Sequence, residues 1–389
     1  MYTHIRHYLL IFFVAISAAV LLSWQWTLTS NAQEAINLSP DNLIKSIQQQ
    51  NNSTKHEKSK IKTVKALYLT AYSAGNSKKI NEIIKLIDET ELNSIVIDIK
   101  DYSGNVLFSR LGDVKKLIKK LHQHKIYVIA RQTVFQDPVL AKEKSEWAIK
   151  DVNGVSTSSL DGLWHDKNGL TWVDPSIKDV WSYNLAIARK AVALGFDEIN
   201  FDYVRFPSDG DLSRAVFASE KLKVDVMRDF FKYLSNKLSN EPVWISIDMF
   251  GFVMEKHYGL SIGQRLEDAV DYVDFICPMM YPSHYPNGYL GFDNPAEHPT
   301  EIIENGMQKG LPYFKNNPSA GSTSSPQDGA QGKRAKVRPW IQAFDMGAVY
   351  KDGGRIREQI DAVEKYSDAG WMMWNASNNY SSVGLKESK

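Results

Sequence analysis

The segment Gly195–Pro207 is "GFDEINFDYVRFP" and carries charged side chains inside a short apolar run. Apolar and polar residues alternate through it, and this period of two predicts a β-strand. Ile199 and Phe201 form an apolar set, which we expect to pack under helices. The polar set then points to the opposite side, with Asp202 last before the strand ends.

Seven other apolar runs alternate with amphipathic helical patterns along the chain. In order the eight runs are "KALYLT", "SIVIDIK", "IYVIARQ", "DEINFDYV", "VWISIDMF", "VDFICPMM", "RPWIQAF" and "GWMMWNA". This alternation is typical of βα units around a parallel sheet. Eight units in roughly 320 residues predict a single (β/α)8 barrel of the triosephosphate isomerase type.

In such a barrel the polar set of each strand faces the interior, and the carboxyl ends of the strands form the catalytic mouth. The same alternation applies to the second and fifth strands. The predicted inward set consists of Asp98, Lys100, Glu198, Asn200, Asp202 and Asp248. We therefore expect three strands to deliver the carboxylates of Asp98, Asp202 and Asp248 to the same end.

Buried carboxylates are retained when they are paired, hydrogen bonded or functional. One hypothesis is a structural ion network with Lys100, Arg131 and Arg205; the position at the mouth favours a binding site. Around the same rim the sequence places Tyr203, Tyr281, His284, Trp340, Gln342 and Trp374. Aromatic rings mixed with carboxylates suit a carbohydrate, because pyranose rings combine apolar C–H faces with hydroxyl edges. For His284 a loop hydrogen bond is an equal alternative to substrate contact.

The predicted catalytic pair is Asp202 and Asp248, on adjacent strands whose spacing is that of a retaining glycosidase pair. We assign Asp202 as the nucleophile, kept ionised by the nearby Arg205, and Asp248 as the acid/base. Asp98 is the reserve partner of Asp202, and its wider separation would suit inversion.

Five ordered motifs, "LGFDEINFDYVRFPSDG", "ISIDMFG", "DFICPMMYPSHY", "RPWIQAF" and "GWMMWNASNNY", resemble those of the putative glycoside hydrolase domain family. The resemblance covers about Ala66 to Tyr380 and implies a (β/α)8 barrel with glycosidase activity. Val204 stands where chitinase-like barrels carry a proton-donating Glu, and Asp248 where amylase-like barrels carry a Glu. These departures keep a non-catalytic glycan-binding barrel as the alternative hypothesis.

Composition excludes other classes of protein. Lys plus Arg number 46 and Asp plus Glu 45, so the net charge of +1 gives no reason to expect nucleic acid. The single cysteine, Cys277, excludes an internal disulfide framework and has the apolar setting of a buried thiol. No His and carboxylate spacing suggests a metal, and we predict no cofactor and no protein partner.

The N-terminal stretch "YLLIFFVAISAAVLLSWQWTLTS" is either a signal peptide or a membrane anchor. Both predict an exported protein, periplasmic or extracellular, that contacts a membrane only through this segment; an envelope scaffold is a weaker hypothesis. The predicted order is a signal or anchor at 1–32, a flexible linker at 33–62, the barrel at 63–380 with a disordered insertion at 316–336, and a tail at 381–389. A second long excursion, 136–175, is expected over the catalytic face.

Overall fold

The computed structural model describes residues 58–59, 63–155, 161–315 and 334–388. The predicted signal or anchor at 1–32, nearly all of the predicted linker at 33–62 and all but the last three residues of the predicted insertion at 316–336 lie outside these ranges. Within them, no helix combines the length and the apolar character that crossing a membrane requires.

Eight parallel strands close into a barrel, as the sequence predicts. They are β1 (Val64–Leu69), β2 (Ser94–Lys100), β3 (Tyr127–Thr133), β4 (Glu198–Asp202), β5 (Trp244–Phe250), β6 (Phe275–Met279), β7 (Trp340–Gln342) and β8 (Gly370–Trp374). Each strand pairs with its neighbours in sequence, and β8 pairs with β1 to complete the ring. Lys336–Val337 adds a two-residue strand against β6.

The helices pack around the outside of the strands. They are α1 (Ala71–Gly75), α2 (Ser77–Glu89), α3 (Val114–Gln123), α4 (Pro138–Glu143), α5 (Lys178–Leu194), α6 (Lys223–Leu238), α7 (Pro299–Phe314) and α8 (Gly354–Glu364). Single 3₁₀ turns occur at Phe108–Leu111, Ser145–Trp147, Leu212–Arg214, Gly251–Met254, Gly259–Ser261, Leu266–Asp268, Pro282–His284, Tyr289–Gly291 and Pro295–Glu297.

Local sequence explains where these helices begin and which face they bury. Asn76 caps α2 by accepting hydrogen bonds from two backbone N–H groups of its first turn. Isoleucines three and four positions apart then form one buried stripe from Ile80 to Ile87. Asp113 caps α3 in the same way. The helices therefore cover the apolar outer set of the strands.

The connection between β5 and β6 differs from a regular βα unit. In this part of the described chain, three 3₁₀ turns replace the helix. Gly259, Leu260, Ser261 and Gly263 all adopt positive φ there, which a continuous right-handed helix excludes. The segment 251–272 therefore lies as an irregular loop beside the mouth, where it supplies part of the site.

A β-bulge corrects one prediction from the alternation. The pairing of β2 with β3 shifts register between Asp98 and Lys100, so Lys100 lies beside Gln132 on the outer side of the barrel. Its ammonium contacts the Asp137 carboxylate at 2.6 Å, and both side chains are fully buried. The prediction that Lys100 points into the barrel is therefore wrong.

The amino end of the barrel is covered by residues that the sequence assigns to the linker. The indole N–H of Trp244 donates to the Ser59 carbonyl at 2.9 Å, and the Lys58 ammonium lies 4.7 Å from the centre of that indole. At the other terminus, Lys386 exchanges hydrogen bonds with Glu91 at the end of α2. Lys58 and Ser59, which the sequence assigns to the linker, therefore contact the amino end of the barrel.

Candidate active site

A cleft of about 570 Å³ opens at the carboxyl ends of the strands. Its lining combines carboxylates, arginines and aromatic rings. The lining residues are Arg131, Asp202, Tyr203, Arg205, Ser208, Asp209, Asp248, Phe250, Gly251, Phe252, Met279, Tyr281, His284, Tyr285, Trp340 and Trp374. Such a concave, partly apolar cavity with a few converging polar groups has the character of a small-molecule or saccharide site.

The Arg131 guanidinium lies at the centre of the cleft floor. Its Nη1 donates to Asp98 at 2.6 Å, its Nη2 donates to Asp202, and its Nε lies 3.7 Å from an oxygen of Asp248. The stacked rings of Tyr68 and Trp374 flank this guanidinium. One cation therefore holds three carboxylates from β2, β4 and β5.

Asp248 is the most deeply buried of these carboxylates, with its side chain 1% exposed. Its Oδ1 accepts hydrogen bonds from the Asn200 amide at 2.8 Å and the Trp340 indole at 2.7 Å. Burial, followed by the neighbouring charge of Asp202, raises the pKa of Asp248 well above its usual range. Because Oδ1 is occupied by two N–H donors, Oδ2 is the oxygen that can carry the proton.

Asp202 meets a different environment one strand away. Its Oδ2 accepts a hydrogen bond from the Arg131 guanidinium and its Oδ1 accepts one from the backbone N–H of Tyr203. Tyr203 has φ of 52°, a left-handed conformation that is costly for a tyrosine. This turn ends the strand alternation, so that the two consecutive side chains both line the cleft.

Aromatic side chains form two walls of the cleft. On one side Trp374 stacks on Tyr68 with ring centres 4.0 Å apart and meets Trp340 edge-on. On the other side Tyr281 meets His284 edge-on at 5.2 Å. Burial lowers the pKa of His284, so its imidazole is neutral at neutral pH.

Arg205 occupies the wall between the loops that follow β4 and β5. Its guanidinium carbon lies 4.9 to 5.1 Å from the ring centres of Trp172, Tyr203 and Phe250. Its Nη1 donates to the Phe206 carbonyl and to Ser208. The residue that pairs with Asp202 is thus Arg131, and the predicted partnership of Arg205 with Asp202 is not formed.

Other predicted site residues lie beneath or outside the cleft. Glu198 is fully buried at the amino side of the barrel, where it accepts from Arg338, Ser246 and Tyr127. Asn200 is fully buried and orients Asp248. Neither residue is therefore placed to contact a substrate in this cleft, contrary to the prediction.

Asp98 and Gln342 also serve neighbouring groups. Asp98 accepts from the Tyr68 hydroxyl and from Arg131, below the cleft lining. Gln342 is fully buried, and its side chain accepts from the Ser283 backbone N–H and donates to the carbonyls of Phe344 and Met346. It fixes the loops after β6 and β7, which is a correction to its predicted contact with substrate.

Nine of the residues that the sequence analysis names for the site line the cleft. They are Arg131, Asp202, Tyr203, Arg205, Asp248, Tyr281, His284, Trp340 and Trp374. Lining residues that sequence reasoning missed lie at the ends of β5 and β6 or in the loops directly after β4, β5 and β6: Ser208, Asp209, Phe250, Gly251, Phe252, Met279 and Tyr285. The missed residues could have been predicted from their positions at or after strand ends, because the active sites of such barrels are built there. The described residues of the excursion 136–175 supply no lining residue, and the ring of its Trp172 lies 4.9 Å from the Arg205 guanidinium.

Across the described ranges, no group of three His, Cys, Asp or Glu side chains is placed to hold a metal ion. Cys277 is buried, which confirms its prediction as an interior thiol.

A family model described as "Putative glycosyl hydrolase domain" matches residues 66–380 of the chain. No curated protein sequence matches the chain. A hypothetical protein from Ruminiclostridium thermocellum is 36% identical over 47% of this chain and 96% of that one, with a TM-score of 0.42.

Two glycoside hydrolase structures share the fold at low sequence identity. The glycoside hydrolase domain of PgaB (BpsB) from Bordetella bronchiseptica is 12% identical, covering 81% of this chain and 95% of that one with a TM-score of 0.54. The α-galactosidase TtGalA from Thermus thermophilus, in complex with stachyose, is 10% identical, covering 89% and 67% with a TM-score of 0.52.

Proposed function

We propose that this chain, which belongs to the putative glycosyl hydrolase domain family, cleaves O-glycosidic bonds of an oligo- or polysaccharide. Asp202 acts as the nucleophile and Asp248 as the general acid and base, with retention at the anomeric carbon. The two glycosidase neighbours and the aromatic cleft support this reaction class. Saccharide rings would lie against the walls formed by Trp374 and Tyr281.

One observation carries the proposal: the Arg131 guanidinium contacts both Asp202 and Asp248, whose environments are opposed. Asp202 accepts hydrogen bonds from the Arg131 guanidinium and the Tyr203 backbone N–H, whereas burial and the charge of Asp202 raise the pKa of Asp248 well above its usual range. A carboxylate that accepts two N–H donors, next to a carboxyl group of raised pKa, is the arrangement expected of a nucleophile and an acid.

The strand geometry is consistent with retention. Phe201 pairs with Ile247, so Asp202 and Asp248 are the next residues of neighbouring strands, which lie about 4.8 Å apart. Retaining glycosidases hold their carboxyl groups at about 5 to 5.5 Å. In the first step Asp202 attacks the anomeric carbon while Asp248 protonates the departing oxygen from Oδ2. In the second step Asp248 removes a proton from the water that hydrolyses the glycosyl–enzyme ester.

Two other carboxylates compete for the role of the acid. Asp98 lies below the lining and is held by Tyr68 and Arg131, which weakens the inverting alternative. Asp209 is exposed and lines the cleft from the loop after β4. Asp209 therefore has the access to solvent that the buried Asp248 lacks. The experiment must show which of these two residues is the general acid.

The test compares the full chain with three variants, Asp202→Asn, Asp248→Asn and Asp209→Asn, on a panel of envelope and exopolysaccharide glycans, with products sized by mass spectrometry. We expect Asp202→Asn to abolish fragment release and Asp248→Asn to reduce it by about 10²- to 10⁴-fold. Asp209→Asn should retain activity. Azide should restore turnover to Asp248→Asn and give a glycosyl azide of retained configuration.

Distinct results would overturn distinct parts of the proposal. Full activity in Asp202→Asn would exclude the nucleophile assignment. Loss of activity in Asp209→Asn with little effect of Asp248→Asn would transfer the acid to the loop. Binding of a glycan without release by the wild type would favour the non-catalytic glycan-binding barrel, which the burial of Asp248 keeps as the second candidate.

We further propose that the chain is exported, to a periplasmic or extracellular location, by the apolar stretch at 8–30. The support is the sequence: about 20 largely apolar residues follow Arg6 at the amino terminus. A carboxyl-terminal alkaline phosphatase fusion should be active outside the cytoplasm, and deletion of residues 2–30 should abolish that activity. An inactive full-length fusion would contradict export.

A further inference from the structure

The cleft wall contains a cation with no carboxylate partner in the described part of the chain. Arg205 is only 9% exposed, yet its guanidinium forms no ion pair there. Its Nη1 is used by the Phe206 carbonyl at 3.1 Å and by Ser208 at 3.3 Å. Neither Nε nor Nη2 donates to any group of the described residues. The Nε–Nη2 edge of the guanidinium is therefore available to a ligand.

Arg205 differs from Arg131, the other arginine of the cleft, in having no carboxylate partner. Arg131 is equally buried but has three carboxylates around it. Asp202 and Asp209 act on Arg205 through their charge without pairing with it: Asp202 accepts from Arg131, and Asp209 accepts from the backbone N–H of Lys167. Burying a charge without a partner is costly, so such a group is retained when a ligand completes its pairing.

The surroundings of Arg205 fix the orientation of its guanidinium. The rings of Trp172, Tyr203 and Phe250 enclose it at 4.9 to 5.1 Å, which stabilises the cation and restricts its rotation. Tyr203 follows Asp202 directly, and Phe250 lies two residues beyond Asp248. Arg205 therefore lines the same cleft as Asp202 and Asp248.

We propose that Arg205 is a specificity determinant that binds an anionic substituent on the sugar next to the scissile bond, so that the substrate is an acidic glycan. This inference rests on the proposed glycosidase function of the cleft. A planar guanidinium edge matches the two oxygens of a carboxylate by parallel hydrogen bonds, and it also binds sulfate and phosphate esters. The shared chemistry is an anion carried by the sugar, and the carboxylate of a uronic acid is the form that fits the planar edge best.

The test measures binding to the Asp202→Asn full chain by isothermal titration calorimetry. The probes are uronate-containing oligosaccharides, each paired with its carboxyl-reduced neutral counterpart of the same linkage, together with sulfated oligosaccharides. We expect at least one acidic member to bind roughly 10-fold or more tightly than its neutral counterpart, since hydrogen bonds to charged groups are the strong ones. The ratio should fall as salt concentration rises.

The matched variants are Arg205→Gln, Arg205→Lys and Arg189→Gln. Arg189 lies on α5, where it contacts Glu241 and the Lys237 carbonyl away from the cleft, so its substitution controls for the loss of one arginine. Arg205→Gln should bring the acidic-to-neutral ratio close to one by weakening the acidic member alone. Arg205→Lys should retain part of the ratio, and Arg189→Gln should leave it unchanged.

The outcomes separate this inference from the proposed function. Equal binding of acidic and neutral members by the protein with Arg205 intact would overturn the inference, and hydrolysis of the neutral member by the wild type would leave the glycosidase proposal standing. Binding of sulfated probes alone would support the anion site and identify a sulfate ester as its ligand. Failure of every oligosaccharide to bind would overturn both. The acidic-to-neutral binding ratio of the protein that retains Arg205 decides the inference. The result therefore stands even if Arg205→Gln fails to fold.

Discussion

Asp248→Asn should make the barrel more stable than the wild type as pH rises. The folded protein holds a proton on Asp248 to a pH well above the ordinary aspartate pKa of 3.8, because of burial and the charge of Asp202. The stability that this proton contributes is fully present below the unfolded pKa and is lost as pH rises through the folded pKa. Asparagine is neutral at every pH and keeps an oxygen for the N–H donors of Asn200 and Trp340.

The magnitude follows from linkage. A single proton bound by the folded state and not by the unfolded state gives a slope of about 1.4 kcal/mol per pH unit. The difference in free energy of unfolding between Asp248→Asn and wild type should therefore grow at up to this slope above the ordinary aspartate pKa, and then level off. No discount for solvent screening is needed, since the side chain is 1% exposed.

Urea denaturation followed by circular dichroism at pH 4, 5, 6, 7 and 8 measures this difference, and titration of groups that do not interact with Asp248 cancels in the comparison. Asp202→Asn provides a second comparison: it removes the second cause of the raised pKa of Asp248. In that background the stability difference should level off at lower pH. A difference that is independent of pH from 4 to 8 would refute the protonated Asp248, and with it the acid assignment.

Substitutions away from the two reacting carboxylates have their own expected results. Arg338→Met leaves Glu198 buried without its cation and should lower the free energy of unfolding by about 3 to 5 kcal/mol, as measured in urea; a loss below about 1 kcal/mol would contradict the buried pair. Gly251→Ala places a Cβ 2.6 Å from the Met279 carbonyl oxygen and should lower both melting temperature and turnover; an unchanged melting curve would disprove this contact. His122 has a pKa raised by its hydrogen bond to the carboxylate before β4, so His122→Ala should cost more stability at pH 5.5 than at pH 8.5, and an equal cost would disprove the linkage.

The barrel and the depth of the charged residues were predictable because the two-residue period of a strand is strict. The alternation in β4 sends Glu198, Asn200 and Asp202 to the interior, and the structure places them there. The same rule failed at Lys100, since one extra residue in a bulge reverses every later side chain. Nothing in "SIVIDIK" marks that bulge, which is stabilised by a partner 37 positions away in sequence, Asp137.

Partner identity was the part that sequence could not supply. Arg338 meets Glu198 across 140 residues of chain, and Arg131 meets Asp202 across 71. Proximity in sequence instead suggested Arg205 as the partner of Asp202, because the two are three residues apart. The pairing of β3 with β4 brings Arg131 to Asp202, and closure of the barrel brings Arg338, just before β7, to Glu198.

The polar side chains of strand β4 have different roles because they lie at different depths along the barrel axis. Glu198, at the amino side, forms a buried pair with Arg338 and carries a structural role. Asn200, one layer higher, has no charge and orients Asp248 through its amide. Asp202, at the mouth, is the one member of the three that reaches the cleft. The same alternating pattern therefore places a buried ion pair, an orienting amide and a cleft carboxylate in successive layers of the barrel.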